Sequence, residues 1–159
     1  MSIYVLAFLI GVVAGLRSLT PPAVVSWATR LGWLHLENTP LAFFAFASTP
    51  YILTLLAIGE LIADKLPKTP SRKAPPGFIT RVLTGGLCGA AVCVASQSLI
   101  GGVLAGVVGA VVGTLGGYEV RIRLTRAAGG KDLPIAILED AVAVVGAFLI
   151  VYAAASPAV

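Results

Sequence analysis

The stretch GLRSLTPP, residues 15–22, places an arginine, two hydroxyl residues and two prolines inside an otherwise apolar segment. Proline lacks a backbone N–H and disfavours helix at the residue before it, so Pro21 predicts a break near Leu19 and Thr20. Thr20 is a suitable N-cap, and Pro21 a suitable first residue, for a second half-helix. We therefore expect the first long helix to be broken near Thr20 to Pro22.

The composition around this stretch is typical of a membrane protein. Hydrophobic residues make up 58% of the 159 residues and charged residues only 11%, whereas about a quarter of a soluble domain is charged. Residues 82–118 carry no formal charge. As one helix they would reach about 55 Å, against about 30 Å for a bilayer core, so they predict two spans that turn at residues 96–98.

The whole chain is predicted to be a single transmembrane domain, residues 1–159, of the all-α, polytopic class. It resolves into about five apolar segments, at residues 2–29, 41–64, 81–97, 99–120 and 133–155.

Basic residues set the predicted orientation. Nine of the eleven lysines and arginines lie at residues 65–81 and 121–131, after the second and fourth segments. Five spans place both stretches on one side, so the positive-inside rule predicts a cytoplasmic side there, with the N-terminus inside and the C-terminus outside. Topology then accounts for the net charge of +4, and no nucleic-acid partner is expected.

Two internal similarities raise the question of a repeat. Residues 11–20 resemble residues 106–115, and residues 57–64 resemble residues 136–143. They fit either an inverted repeat, in which spans 1–2 and 4–5 are copies, or chance similarity among apolar segments.

Glycines recur at three- and four-residue intervals in the predicted spans, most regularly at Gly102, Gly106, Gly109 and Gly113. Small residues at such spacing let helix backbones approach closely in lipid. They fit packing within one chain or a dimer seam, and we expect a homo-oligomer.

Four of the carboxylates inside the predicted spans stand out, because an ionisable side chain there is costly unless it is paired or functional. Glu60 and Asp64 share a helix face, and Glu139 and Asp140 lie about two turns into the fifth span. We predict that all four lie at one level, about 5–12 Å inside the inner boundary. They could bind a divalent cation, carry protons, or neutralise the basic loops.

The broken helix offers a candidate anion site. Arg17, Ser18 and Thr20 combine a guanidinium, hydroxyl groups and the positive end of a half-helix, which together suit an anionic group. A regular helix counted from the cytoplasmic side puts Arg17 about 13 Å above the carboxylates, so a direct salt bridge to Glu60 or Glu139 does not follow unless the break and tilt of this segment lower Arg17. Alternatively, Arg17 pairs within the bundle or reaches the outer interface, and the prolines only kink the helix.

The proline-rich loop at residues 65–81 offers a second candidate. There Arg72 and Lys73 could contact a lipid headgroup or a phosphate at the inner surface. Alternatively, the loop is solvated and only sets the topology.

Three stretches carry a resemblance to a known family. GVVAGLRSLTPPAVVSWA (11–28), GELIADKLPKTPSRKAPPG (59–77) and LEDAVAVVGAFLIV (138–151) resemble small bacterial integral membrane proteins catalogued as a domain of unknown function, DUF4126-like. The resemblance covers nearly the whole chain. It implies a multispan protein of the bacterial inner membrane, and it supplies no activity and no site residue.

The sequence favours a carrier of a small anionic solute or a lipid phosphate, coupled to protons or a cation. The anion would be bound by Arg17, Ser18, Thr20, Arg72 and Lys73, and coupled by Glu60, Asp64, Glu139 and Asp140. A Mg²⁺-dependent enzyme acting on a lipid phosphate and a non-catalytic membrane scaffold are the alternatives. The sequence has no nucleotide-binding or metalloprotease motif, and the one cofactor considered is a divalent cation.

Overall fold

The computed structural model describes residues 2–66, 74–94 and 98–156, which form helices and turns with no strand in those ranges. The all-α class is thereby confirmed. A short 3-10 helix at Ala42–Ala45 precedes the third of the α-helices. These are α1 (Ile3–Leu16), α2 (Thr20–Arg30), α3 (Thr49–Ala63), α4 (Pro75–Val92), α5 (Leu99–Ala127) and α6 (Asp132–Ala155).

The predicted break in the first segment is confirmed. α1 ends at Leu16 and α2 begins at Thr20, so three residues separate the two helices. Leu19, and not Thr20, occupies the N-cap position. The predicted capping role of Thr20 is therefore wrong, because Thr20 is already helical and the cap comes from another helix.

α1 runs parallel to α5. At the start of both helices, the Tyr4 hydroxyl donates to Ser98 Oγ over 3.0 Å. Further along, a Cβ added to Gly15 would lie 2.5 Å from the carbonyl oxygen of Ala110 and from the backbone nitrogen of Thr114. Residues further along α1 thus contact residues further along α5, which shows that the two helices run in the same direction.

Glycine makes this close packing possible at the point where α1, α4 and α5 meet. A Cβ on Gly11 would lie 2.1 Å from the carbonyl oxygen of Gly106, and a Cβ on Gly106 would lie 2.1 Å from that of Gly85. No side chain fits between backbones at that distance. Gly102, Gly106, Gly109 and Gly113 of α5 are thus packed against other helices of the chain, and the predicted homo-oligomer, which would need another surface, stays a prediction.

The break sends α2 back towards the end of the bundle where α1 begins. Trp33, just beyond α2, packs edge-on against Tyr152 of α6, with 5.4 Å between ring centroids, and both line a cavity with Val94. Val94 follows Cys93, whose Sγ lies 4.0 Å from the carbonyl oxygen of Ile3. Both ends of the described chain therefore lie at the same end of the bundle.

This arrangement differs from the one on which the predicted orientation rests. An N-terminus inside and a C-terminus outside require the two ends to lie on opposite faces. The break adds one reversal that five straight spans lack, so the described ends lie at one end of the bundle, unlike the ends of five straight spans.

The helix directions also argue against the inverted repeat. α1 and α5 run parallel, whereas α3 and α6 run antiparallel. Lys65, just after α3, pairs with Asp140 in the first half of α6, while Thr54 and Phe148, at the other ends of these helices, share a crevice. One inversion cannot relate both pairs of segments.

Two helices, α5 and α6, are long and apolar enough to cross a membrane. α1 and α3 are apolar but have only 14 and 15 residues. At about 1.5 Å per residue each reaches about 21–23 Å, less than the bilayer core. The predicted count of five spans is therefore not confirmed, and membrane association is supported by α5 and α6.

Candidate functional site

A buried arginine lies at the break between α1 and α2. Arg17 ends α1 in an extended conformation, with φ −139° and ψ 112°, and its side chain is 0% exposed. The guanidinium forms ion pairs with Asp64 at the end of α3 and with Asp140 on α6, the latter over 2.6 Å, and Glu139 lies 3.8 Å away. Three parts of the chain converge on this cation.

Two further cations link these carboxylates to the ends of α3 and α5. Lys65 pairs with Asp140. Arg121 pairs with Asp132 over 2.6 Å and with Glu139 over 3.4 Å. We call the set Arg17, Asp64, Lys65, Arg121, Asp132, Glu139 and Asp140 the charge cluster. Each carboxylate of the cluster is paired with at least one cation, so the carboxylates can lie close together.

Glu60 of α3 supplies the cap that α2 lacks. Its Oε1 accepts hydrogen bonds from the backbone N–H of Ser18 over 2.8 Å and from Ser18 Oγ over 2.6 Å. Its Oε2 accepts from the N–H of Leu19 over 2.8 Å. A negative group is stabilised at a helix N-terminus by unpaired N–H donors and by the helix dipole. The anion expected at this helix end is thus present, as a side chain of the same chain.

The break explains why the predicted distance between Arg17 and the carboxylates is wrong. The 13 Å estimate assumed one regular helix that starts on the side of the basic loops. α1 instead starts at the opposite end of the bundle and stops at the level of Asp64. Arg17 therefore lies among the carboxylates.

The structure brings most of the predicted site residues together. Arg17 and Ser18 meet Glu60, Asp64, Glu139 and Asp140, and Thr20 follows as the first residue of α2. Arg72 and Lys73 lie outside the described residues. The sequence interpretation missed Arg121 and Asp132 as members of the cluster, although it considered that the carboxylates neutralise the basic loops, of which Lys65 is part. The available signal was Asp132, the first residue of α6, which follows closely on the basic end of α5 and so could pair with an arginine there.

The cluster bears on the divalent-cation hypothesis. In residues 2–66, 74–94 and 98–156, no group of three or more His, Cys, Asp or Glu side chains is arranged to hold a metal ion. Asp64 and Asp140 share the guanidinium of Arg17. A divalent cation would have to displace that guanidinium to reach both carboxylates.

Removing the Ser18 hydroxyl tests the cap. In Ser18→Ala, Glu60 keeps the two backbone donors and loses the hydroxyl bond. A hydrogen bond to a charged group contributes about 1.5–3 kcal/mol, so we expect the free energy of unfolding to fall by about 1–2 kcal/mol, measured by denaturation in mild detergent. Ser26→Ala is the control, since the buried Ser26 donates only to the carbonyl of Ala23 in its own helix. An equal loss in both variants would contradict a special role for the bond to Glu60.

Fold and site together define a class: a small α-helical bundle, with two helices able to cross a membrane and a buried arginine among carboxylates at a helix break. A family model matches residues 4–158, and the chain belongs to the family described as Domain of unknown function (DUF4126). The family predicted from the three sequence stretches is thereby confirmed. Comparison with curated proteins and with solved structures gives no match.

Proposed function

We propose that this protein is a membrane carrier that moves a small anion together with a proton, and that the anion binds at the break between α1 and α2. One observation carries the proposal: a fully buried arginine and the backbone N–H groups of Ser18 and Leu19, just before α2, all face acidic side chains of the same chain. Donors of this kind suit the anionic part of a substrate. Broken helices with such ends hold substrates in several transporter folds.

The coupling follows from Glu60. While its carboxylate is ionised, it occupies the donors of Ser18 and Leu19. A protonated Glu60 is a weaker acceptor and has no charge to stabilise at the helix dipole. Protonation would then free these donors for an incoming anion, so proton and anion would bind together. Asp64, one turn further along α3, is the member of the charge cluster that follows Glu60 on the same helix face.

The orientation belongs to the same proposal. Lys65, just after α3, and Arg121, in the last third of α5, belong to the charge cluster at one end of the bundle. By the positive-inside rule this end faces the cytoplasm. Both chain ends then face outwards across the bacterial inner membrane, and the anion site opens from the cytoplasmic half.

The charge cluster favours a carrier over a Mg²⁺-dependent enzyme. The carboxylates that would bind the metal already share Arg17, Lys65 and Arg121. A scaffold in which the cluster only holds the helices together remains the competing explanation. The two differ in whether an added anion is bound and moved.

Uptake into proteoliposomes tests the proposal. Purified protein is reconstituted, a pH gradient is imposed, and accumulation of labelled phosphate, sulfate, acetate and butyrate is followed. We expect at least one anion to accumulate when the pH gradient is imposed. In Glu60→Gln, which keeps the size of the side chain and cannot ionise, the uptake driven by the gradient should fall at least tenfold.

Arg123→Ala is the control, since Arg123 is 74% exposed and pairs only with Glu119 of its own helix among the described residues. Uptake that ignores the pH gradient would contradict proton coupling. A folded protein that moves none of the four anions would favour the scaffold.

A further inference from the structure

The anion pocket at the break has a shape that selects among anions. Glu60 is held by both of its oxygens, one by Ser18 and the other by Leu19. Two successive N–H groups therefore match the two coplanar oxygens of a carboxylate. A ligand that takes the place of Glu60 on the same donors is best matched by the same group.

An apolar crevice adjoins these donors. It has a volume of about 180 Å³ and lies between α2, α3 and α6, with Thr20, Ala57, Leu61 and Val144 among its lining residues. Thr20 directly follows Leu19, and Ala57 and Leu61 flank Glu60 on α3. An apolar cavity of about 150 Å³ can hold benzene, so the crevice has room for an alkyl group of about six carbons.

Thr20 provides an unused donor at this place. It is only 4% exposed, and its hydroxyl has no hydrogen-bond partner within the described residues. A buried hydroxyl without a partner is costly. A second unused donor, Nε of Arg17, lies three residues earlier in the break. Of the two, Thr20 lines the crevice and could donate to a ligand that enters with its polar end towards α2.

We infer that the anion is a small aliphatic monocarboxylate, whose carboxylate replaces that of Glu60 at the start of α2 and whose alkyl chain occupies the crevice between α2, α3 and α6. This inference rests on the proposed function for its location, and it adds the substrate class. Thr20 donates to the ligand carboxylate, and Ala57 limits the length of the chain. Phosphate and sulfate, which are tetrahedral and fully polar, do not fit the apolar crevice.

Binding is measured first, without transport. The protein in lipid nanodiscs is titrated calorimetrically with acetate, butyrate, hexanoate, dodecanoate, phosphate and sulfate. We expect butyrate and hexanoate to bind more tightly than acetate, and neither phosphate nor sulfate to bind. Tightest binding of dodecanoate would overturn the small size assigned to the ligand and would indicate a fatty acid from the bilayer. Tighter binding of phosphate than of every carboxylate would overturn the inference.

Three variants locate the ligand. Thr20→Val keeps the shape and removes the hydroxyl, and we expect it to weaken butyrate binding about tenfold, the order expected for one hydrogen bond to a charged group. Glu60→Gln removes the competing carboxylate and should tighten binding at least tenfold. Ala57→Leu fills the crevice and should weaken hexanoate binding while leaving acetate unchanged.

Thr29→Val is the matched control, because Thr29 is also in α2 and 4% exposed, and its hydroxyl already donates to the carbonyl of Val25. It should bind butyrate like the unchanged protein. Equal weakening in Thr20→Val and Thr29→Val would overturn the assignment of the pocket.

The two proposals fail in different ways. Carboxylate binding that depends on Thr20, without uptake into proteoliposomes, would uphold the ligand class and reject transport. Proton-driven uptake of phosphate, without carboxylate binding, would uphold transport and reject the ligand class.

Discussion

Replacing Arg17 with alanine should lower the free energy of unfolding by about 3–5 kcal/mol, the range measured when one partner of a buried ion pair is removed. The cause is the set of carboxylates left behind. Asp64 and Asp140 would lose a cation that is 0% exposed while staying only 13–14% exposed themselves. Chemical denaturation in mild detergent, followed by far-UV circular dichroism, would measure the loss.

Two further variants isolate this effect. Arg17→Lys keeps the charge and loses the planar fork that reaches Asp64 and Asp140 at once, so its loss should be smaller. Arg123→Ala removes an arginine from an exposed pair with Glu119 and should cost less than about 1 kcal/mol. If Arg17→Ala were as stable as Arg123→Ala, the buried cluster could not be what holds α1, α3 and α6 together.

Replacing Gly106 with alanine should destabilise the protein by about 3 kcal/mol, the upper end of the usual cost of overpacking, or prevent folding. The added Cβ would lie 2.1 Å from the carbonyl oxygen of Gly85, and backbone cannot move aside as a flexible side chain can. α4 and α5 would have to separate, and with them α1, which packs on Gly106 through Gly11. Folded yield and thermal unfolding in detergent would show the effect.

Gly116→Ala provides a control in the same helix. A Cβ on Gly116 would meet nothing within 4 Å, and alanine favours helix over glycine by up to about 1 kcal/mol. We therefore expect unchanged or slightly raised stability. Similar destabilisation by both substitutions would mean that the contact between α4 and α5 is not the cause, since helix propensity alone favours alanine at both positions.

The helices themselves could be predicted because their signals are local. The run without charge at residues 82–118 predicted α4 and α5, and Pro21 predicted the break between α1 and α2 to within about three residues. The direction of α1 could not be predicted in this way. The sequence shows that a helix stops at Arg17, and only the packing of Gly11 and Gly15 against α5 shows from which side it came.

The members of the candidate site could be predicted better than their connections. The cost of burying charge singled out Arg17 and the four carboxylates, and these do lie together. Which carboxylate caps α2 and which pairs with Arg17 depends on how α3 turns relative to the break. Glu60 and Asp64 are one helical turn apart, and that turn alone divides them between the two roles.

The contacts of Arg17 impose an order on the making of the protein. Arg17 leaves the ribosome in the first helical hairpin, 47 residues before Asp64, and Asp140 follows only with the last helix. Chains grow at about 5–20 residues per second, so the guanidinium waits several seconds for all its acidic neighbours. An unpaired arginine is costly in lipid, and the tip of the hairpin should therefore stay close to water during this time. Arg17, in the first helical hairpin, can therefore form its complete set of ion pairs only after α6 has been synthesised.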